Sequence, residues 1–85
     1  MISPYAASKI VNSILDENGV APIPSQMMYN YSKNGMITTY VVNGKKMFDE
    51  NGTGEKDFSV WLMKYIAMKG IVVITDDAPQ SEVLF

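Results

Sequence analysis

The chain contains no cysteine and no histidine, and all seven of its basic residues are lysine, so arginine is absent as well. Without cysteine there is no disulfide framework and no thiolate metal site, which fits a reducing compartment. Without histidine the commonest general base and metal ligand is missing. Without arginine there is no planar, bidentate clamp for a phosphate or an oxyanion. No Ser, Thr or Tyr therefore has a His, Cys or Arg to activate it as a nucleophile or to hold an oxyanion, and 85 residues support one modest core without a deep catalytic cleft. The expectation is a non-enzyme with no cofactor. No apolar run approaches the ~20 residues of a membrane span, and the N-terminus lacks the basic region and apolar stretch of a signal peptide. A soluble, cytoplasmic protein without a membrane partner is expected.

Acidic charge is also missing where it matters most. Between Asn18 and Phe48 there is no Asp or Glu, while Lys33, Lys45 and Lys46 are all present. The formal net charge of -2 thus conceals a net +3 segment set between a net -1 start, Met1 to Glu17, and a net -4 end, Asp49 to Phe85. An electrostatic footprint depends on such clustering and not on the total.

The patterning predicts the elements. Ser3 followed by Pro4 is a helix start, and Ala6, Ala7, Ile10, Val11, Ile14 and Leu15 recur at three- and four-residue spacing, marking a buried stripe on a helix from about Pro4 to Glu17 that stops at Asn18-Gly19. Ala21-Pro22-Ile23-Pro24 is non-helical, because each proline pushes its predecessor toward extended geometry. A second helix spans about Pro24 to Asn34 and stops at Asn34-Gly35. Met28 and Tyr31 face its core side, with Ile37 just beyond. Asn43-Gly44 marks a two-residue hairpin turn between strands Thr38 to Val42 and Lys45 to Phe48. That loop length pairs Val42 with Lys45 and Tyr40 with Met47, and we expect Val41 and Phe48 inside.

A third helix is predicted from Glu55 to Lys69, with Phe58, Trp61, Leu62, Tyr65 and Ile66 at core spacing, Gly70 as its stop, and an acidic first turn and basic last residue that complement the helix dipole. Ile71 to Thr75 is a β-branched run suited to the hairpin's edge or to a second subunit. We place one domain over residues 1–75 and a tail over 76–85. The terminal SEVLF resembles part of the viral 3C protease recognition string LEVLFQ and is set aside from fold reasoning.

Helix, proline-rich turn, helix, hairpin and helix follow the order of an α+β winged helix-turn-helix. Ser25-x-x-Met28-x-x-Tyr31-x-x-x-Gly35-Met36-Ile37 resembles the run that defines the second helix in the DNA-binding domains of the mercury-resistance-regulator (MerR) and phage-excisionase superfamily, and Trp61 to Ile66 falls where that family continues with an apolar helix after the wing. The resemblance covers roughly the first seventy residues. Where the family carries Arg on the second helix, this chain has Met27, Tyr29 and Asn30, and its link between the first two helices is longer and prolyl.

The resemblance implies a small sequence-specific protein that binds double-stranded DNA, of transcription-regulator, excisionase or plasmid and phage DNA-architecture type. Lys33, Lys45 and Lys46 would then neutralise phosphates, with Ser25, Tyr29 and Thr39 as neutral donors and Asn43 in the hairpin turn that precedes Lys45 and Lys46. Gln26 and Asn30 can each bond an adenine edge in the major groove, a contact worth roughly 1–3 kcal/mol of discrimination. The lack of Arg removes the commonest guanine contact, so an AT-leaning site is expected. Three phosphate-reaching lysines are few for one monomer, which points to a homo-oligomer, a dimer for instance, or to a partner protein. Ile71 to Thr75, or Val60, Met63 and Ala67, are the candidate contacts.

Asp49, Asn51, Thr53, Gly54 and Asp57 match positions 1, 3, 5, 6 and 9 of a calcium loop, but the bidentate Glu of position 12 is replaced by Val60 and a strand precedes the loop, so no metal site is expected. Asp76-Asp77 reads as a solvated pair. The alternative function is a protein-interaction module, a phage or plasmid inhibitor or adaptor that uses the acidic C-terminal part.

Overall fold

The computed structural model describes residues 1–71. Its elements are α1 (Pro4–Glu17), α2 (Ser25–Lys33), β1 (Tyr40–Val42), β2 (Lys45–Met47) and α3 (Phe58–Met68). The architecture is α+β: three helices and one two-stranded antiparallel hairpin. Among the described residues, no helix is long and apolar enough to cross a membrane.

Local chemistry sets the helix ends. Extended Ser3 caps α1, its Oγ accepting from the Ala6 N–H at 3.1 Å, and Pro4 occupies the first turn. All three helices stop in the same way. After α1 the Gly19 N–H donates to Asp16 O and the Val20 N–H to Leu15 O, and the pattern repeats at Gly35 with Met36 and at Gly70 with Ile71. These are Schellman motifs, in which a left-handed residue lets two backbone donors satisfy orphan carbonyls. Gly35, at φ 74°, meets that requirement after α2.

The core is formed by Ala7, Val11 and Leu15 of α1, Met28 of α2, Ile37, Phe48, and Phe58 and Tyr65 of α3. The α1 stripe is narrower than expected. Ile10 is exposed and Ala6 and Ile14 are half-buried, because α1 packs chiefly on α2 and only lightly on α3. An aromatic ladder binds the other side: Phe48 stacks on Phe58 (5.9 Å between centroids), Phe58 on Trp61 (5.9 Å) and Trp61 on Tyr65 (4.9 Å), while Tyr31 of α2 tilts onto Trp61 at 5.4 Å. Offset or tilted pairs at this spacing add to simple burial. The ladder joins α2, the hairpin exit and α3 into one body.

The prolyl link is held by a side chain. Asn12 Nδ2 donates to Ile23 O at 2.9 Å and the Ile23 N–H donates to Asn12 Oδ1 at 2.8 Å, so one amide replaces the backbone partners that Ile23 lacks between two prolines.

The hairpin has the expected register, Val42 opposite Lys45, Val41 opposite Lys46 and Tyr40 opposite Met47, around a turn in which Asn43 and Gly44 take positive φ of 52° and 77°. Only half of the expected pair is inside. Phe48 is fully buried and Val41 is 71% exposed. They share a parity but not a depth: Val41 lies one pair from the projecting turn, whereas Phe48 lies beyond β2, where Ile2 bridges it through N–H···O bonds of 2.9 and 2.7 Å and draws it over the core. The N-terminal amine also reaches Glu50 Oε1 at 2.7 Å.

The third helix starts later than predicted, at Phe58, with no acidic residue in its first turn. Asp57 stands at the cap position, but its carboxylate turns away from the helix toward Tyr40 and Gly54. Lys69 is the residue just past the helix, with its ammonium over the Tyr65 ring at 5.4 Å. Of the predicted strand Ile71 to Thr75, Ile71 is half-buried against the core and not in a strand; residues 72–75, the Asp76-Asp77 pair and the tail 76–85 lie outside the described residues.

Candidate nucleic-acid interface

The outer face of α2 follows from its buried one. Met28 is fully buried and Tyr31 half-buried against the core, so the opposite stripe is left to Gln26, Tyr29, Asn30 and Lys33, spaced i, i+3, i+4 and i+7, and all four are exposed. This is one continuous helical face. It holds an amide, a phenol, a second amide and an ammonium, with no carboxylate. Two of its members touch: Gln26 Nε2 donates to Asn30 Oδ1 at 3.2 Å. Ser25, the first residue of α2, is half-buried and does not cap it; Pro24 holds the cap position without a side-chain bond.

The hairpin presents Asn43, Lys45 and Lys46, all exposed. Lys45 and Lys46 are adjacent in β2, so their side chains leave opposite faces of the ribbon. Among the described residues, the ion pairs are Met1 with Glu50 and Lys64 with Glu55 (3.5 Å), and Lys9 and Lys69 lie over the rings of Tyr5 and Tyr65. Lys33, Lys45 and Lys46 pair with no carboxylate in that set.

Thr39 is placed differently. Its hydroxyl donates to Ile37 O at 3.2 Å and sits 2.6 Å from Ser32 Oγ. The Ser32–Thr39 pair, in which either hydroxyl can donate, fastens the last turn of α2 to the entry of β1. Thr39 is thus engaged within the chain and sets α2 against the hairpin. The pattern of the sequence carries no signal for this pairing across seven residues.

Three exposed apolar residues join the same region, Met36 after α2 (50% exposed) and Val41 and Val42 on β1. Strand alternation with Val41 inside turns Val42 outward, as found, and Val41 is the one that lies out against that expectation.

The loop tested as a calcium site is occupied by its own bonds. Asp49 Oδ1 accepts from the Asn51 N–H at 2.9 Å, and the Asp57 carboxylate, buried, accepts from the Gly54 N–H at 2.9 Å and from Tyr40 Oη at 3.1 Å. The Tyr40 phenol is raised above its ordinary pKa of 10.0, first by this bond to the Asp57 carboxylate and then by partial desolvation. Among the described residues, no group of three or more Asp or Glu is arranged to hold a metal ion.

No protein-family model, curated protein or solved structure matches the chain.

Proposed function

We propose that the chain is a small sequence-specific double-stranded DNA-binding protein of winged helix-turn-helix type. In this reading α2 lies in the major groove and the hairpin is the wing on the phosphate backbone. The observation that carries it is the α2 stripe Gln26, Tyr29, Asn30 and Lys33, solvent-facing and free of carboxylates, in a segment whose other lysines, Lys45 and Lys46, stand exposed on the hairpin.

Each residue then has a role set by its chemistry. Lys33, Lys45 and Lys46 hold phosphates and release counterions, which gives affinity without sequence information. Gln26 and Asn30 present donor and acceptor together, as adenine recognition in the major groove requires. Tyr29 adds a phenol that can donate to a phosphate. The opposite exits of Lys45 and Lys46 suit a ribbon lying edge-on between two phosphate rows. Binding as a dimer, or with a partner protein, would double a small set of contacts.

The test is selection from a random duplex library at two salt concentrations, with a Lys45→Ala/Lys46→Ala variant alongside. Enriched, salt-sensitive sites that the variant loses support the reading, and the half-site spacing reports the oligomer. Absence of enrichment at low salt removes it. A second reading, a protein-interaction module, is favoured by α3, where Met63 and Met68 are 68% and 74% exposed. It predicts capture of a protein partner that α3 substitutions abolish while Lys45→Ala/Lys46→Ala does not.

A further inference from the structure

We infer that Asn43 is a site of spontaneous covalent modification, the first of the chain's four Asn-Gly pairs to deamidate in the folded protein. The four are Asn18-Gly19, Asn34-Gly35, Asn43-Gly44 and Asn51-Gly52. A glycine after asparagine leaves the attacking backbone nitrogen unhindered by a side chain, so the pairs are equal candidates by residue type. Their backbone bonds and neighbouring charges separate them.

The reaction has two steps. The Gly backbone nitrogen loses its proton to solvent and attacks Asn Cγ; an N–Cγ bond forms, the Cγ–Nδ2 bond breaks, and ammonia leaves with a proton taken from water. Water then opens the succinimide at either carbonyl and gives aspartate or isoaspartate. Water is the co-reactant, and nothing is oxidised or reduced. A hydrogen bond that holds the Gly N–H slows the attack, and nearby carboxylates oppose the amide anion it requires.

In three pairs the nitrogen is held. The Gly19 N–H donates to Asp16 O at 3.1 Å, the Gly35 N–H to Ser32 O at 3.2 Å and the Gly52 N–H to Asp49 O at 3.4 Å. The first two belong to Schellman motifs, which release them only when a helix end opens, and Asn18 is pinned further by its Nδ2, which donates to Ile14 O at 2.8 Å. Gly52 is packed under the Asp57 side chain, and its carbonyl accepts from Ser59 Oγ. Among the described residues no backbone bond holds the Gly44 N–H, and Asn43 and Gly44 are both exposed to water.

Charge favours the same pair. Asp16 and Glu17 precede Asn18, and Asp49 and Glu50 precede Asn51, whereas Lys45 and Lys46 follow Gly44. Asn34 has Lys33 beside it but lacks the unbonded nitrogen. The turn can also open locally, because it joins strands of three residues each whose tip lies away from the core.

The product sets a carboxylate beside Lys45 and Lys46 and lowers the net +3 of Asn18 to Phe48 by one. The isoaspartate form also adds a main-chain carbon to a two-residue loop whose length fixes the strand register. Both weaken the hold of the hairpin on phosphate, a consequence that rests on the DNA-binding reading above; the modification itself does not.

In the experiment the full chain is aged in warm, mildly alkaline buffer, folded and, in parallel, unfolded in urea, while tandem mass spectrometry follows the one-dalton gain at each asparagine. In the folded chain Asn43 should convert roughly tenfold faster than Asn18, Asn34 or Asn51, the rate equivalent of a protecting hydrogen bond. In urea that advantage should shrink, because the bonds that hold the other three nitrogens are gone. Faster conversion at another Asn-Gly pair of the folded chain, or an undiminished advantage in urea, overturns the inference.

Duplex binding reads the consequence. Fresh Asn43→Asp should give a salt slope shallower by about 0.9 for each copy bound, and wild type should drift toward it on ageing. Asn43→Gly, which keeps a residue suited to the turn but has no amide to lose, should give the same affinity fresh and aged. An Asn43→Asp slope equal to that of wild type overturns the consequence. Absence of any wild-type duplex binding at low salt removes the DNA-binding reading, and the mass measurement still decides the site.

Discussion

The Tyr40 hydroxyl donates to Asp57 Oδ1 at 3.1 Å while the Gly54 N–H donates to Oδ2 of the same carboxylate at 2.9 Å. One buried acid thus ties the root of the hairpin to the start of α3. A Cβ on Gly52 would overlap this carboxylate, and Ser59 Oγ closes the loop on Gly52 O, so the loop is shaped around Asp57.

The bond predicts an alkaline transition. The Tyr40 phenol is raised in the folded chain, first through its bond to Asp57, so the protonated form is favoured by folding. Its contribution to stability is complete below the ordinary tyrosine value and is lost as pH rises through the raised one. Phenolate absorbance of wild type minus Tyr40→Phe should titrate above 10.0, and Asp57→Asn should move that step down. An unmoved step in Asp57→Asn would refute the bond.

Asn12 makes both bonds to Ile23, at 2.9 and 2.8 Å. Asn12→Ala should cost about 2 kcal/mol, two ordinary hydrogen bonds lost together, and Asn12→Asp, which sets a carboxylate oxygen against the Ile23 carbonyl that Asn12 Nδ2 now serves, should cost at least as much. Denaturant midpoints decide it, with unchanged m-values showing that only the folded state is affected.

The unequal depth of Val41 and Phe48 gives a contrast. Val41→Thr, at a position 71% exposed, should change stability by no more than about 0.5 kcal/mol. Phe48→Ala, at a fully buried residue stacked on Phe58, should cost about 3–5 kcal/mol. Equal effects in thermal melts would mean that the hairpin lies over the core.

Gly35 has no atom within 4 Å of the place a Cβ would take, so only its φ of 74° resists substitution. Gly35→Ala should therefore cost about 1–2 kcal/mol, the strain of a left-handed alanine. Chemical denaturation measures it; no loss would mean that α2 can end otherwise.

For DNA, Lys33→Ala should reduce the slope of log affinity against log salt by about 0.9 for each copy bound, leaving base preferences as in wild type. A change in preference with an unchanged slope would place Lys33 on a base and not on a phosphate.

Local rules reached far in this chain. Ser3-Pro4, Asn18-Gly19 and Asn34-Gly35 bound their helices within a residue, and Asn43-Gly44 set the hairpin register, because caps and tight turns depend on φ and on hydrogen bonds spanning a few residues. The α2 stripe was legible for the same reason: Met28 and Tyr31 on the core side leave the other sides to Gln26, Met27, Tyr29, Asn30 and Lys33, of which all but the half-buried Met27 are exposed.

Periodicity failed where depth counted. It assigns a side chain to a face but cannot say how far along a projecting ribbon the core ends, which is why Val41 was expected inside with Phe48. Asp57 read as part of an acidic first helical turn or as position 9 of a calcium loop, and became a tie between Tyr40 and Gly54 only once Tyr40, 17 residues away, was brought beside it. By itself, then, the sequence determined the helices, the turn and a basic segment free of acids, all of them local properties. How deep Val41 and Phe48 lie, and what the Thr39 hydroxyl and the Asp57 carboxylate bond to, were decided by tertiary structure, because each depends on partners that only folding brings within reach.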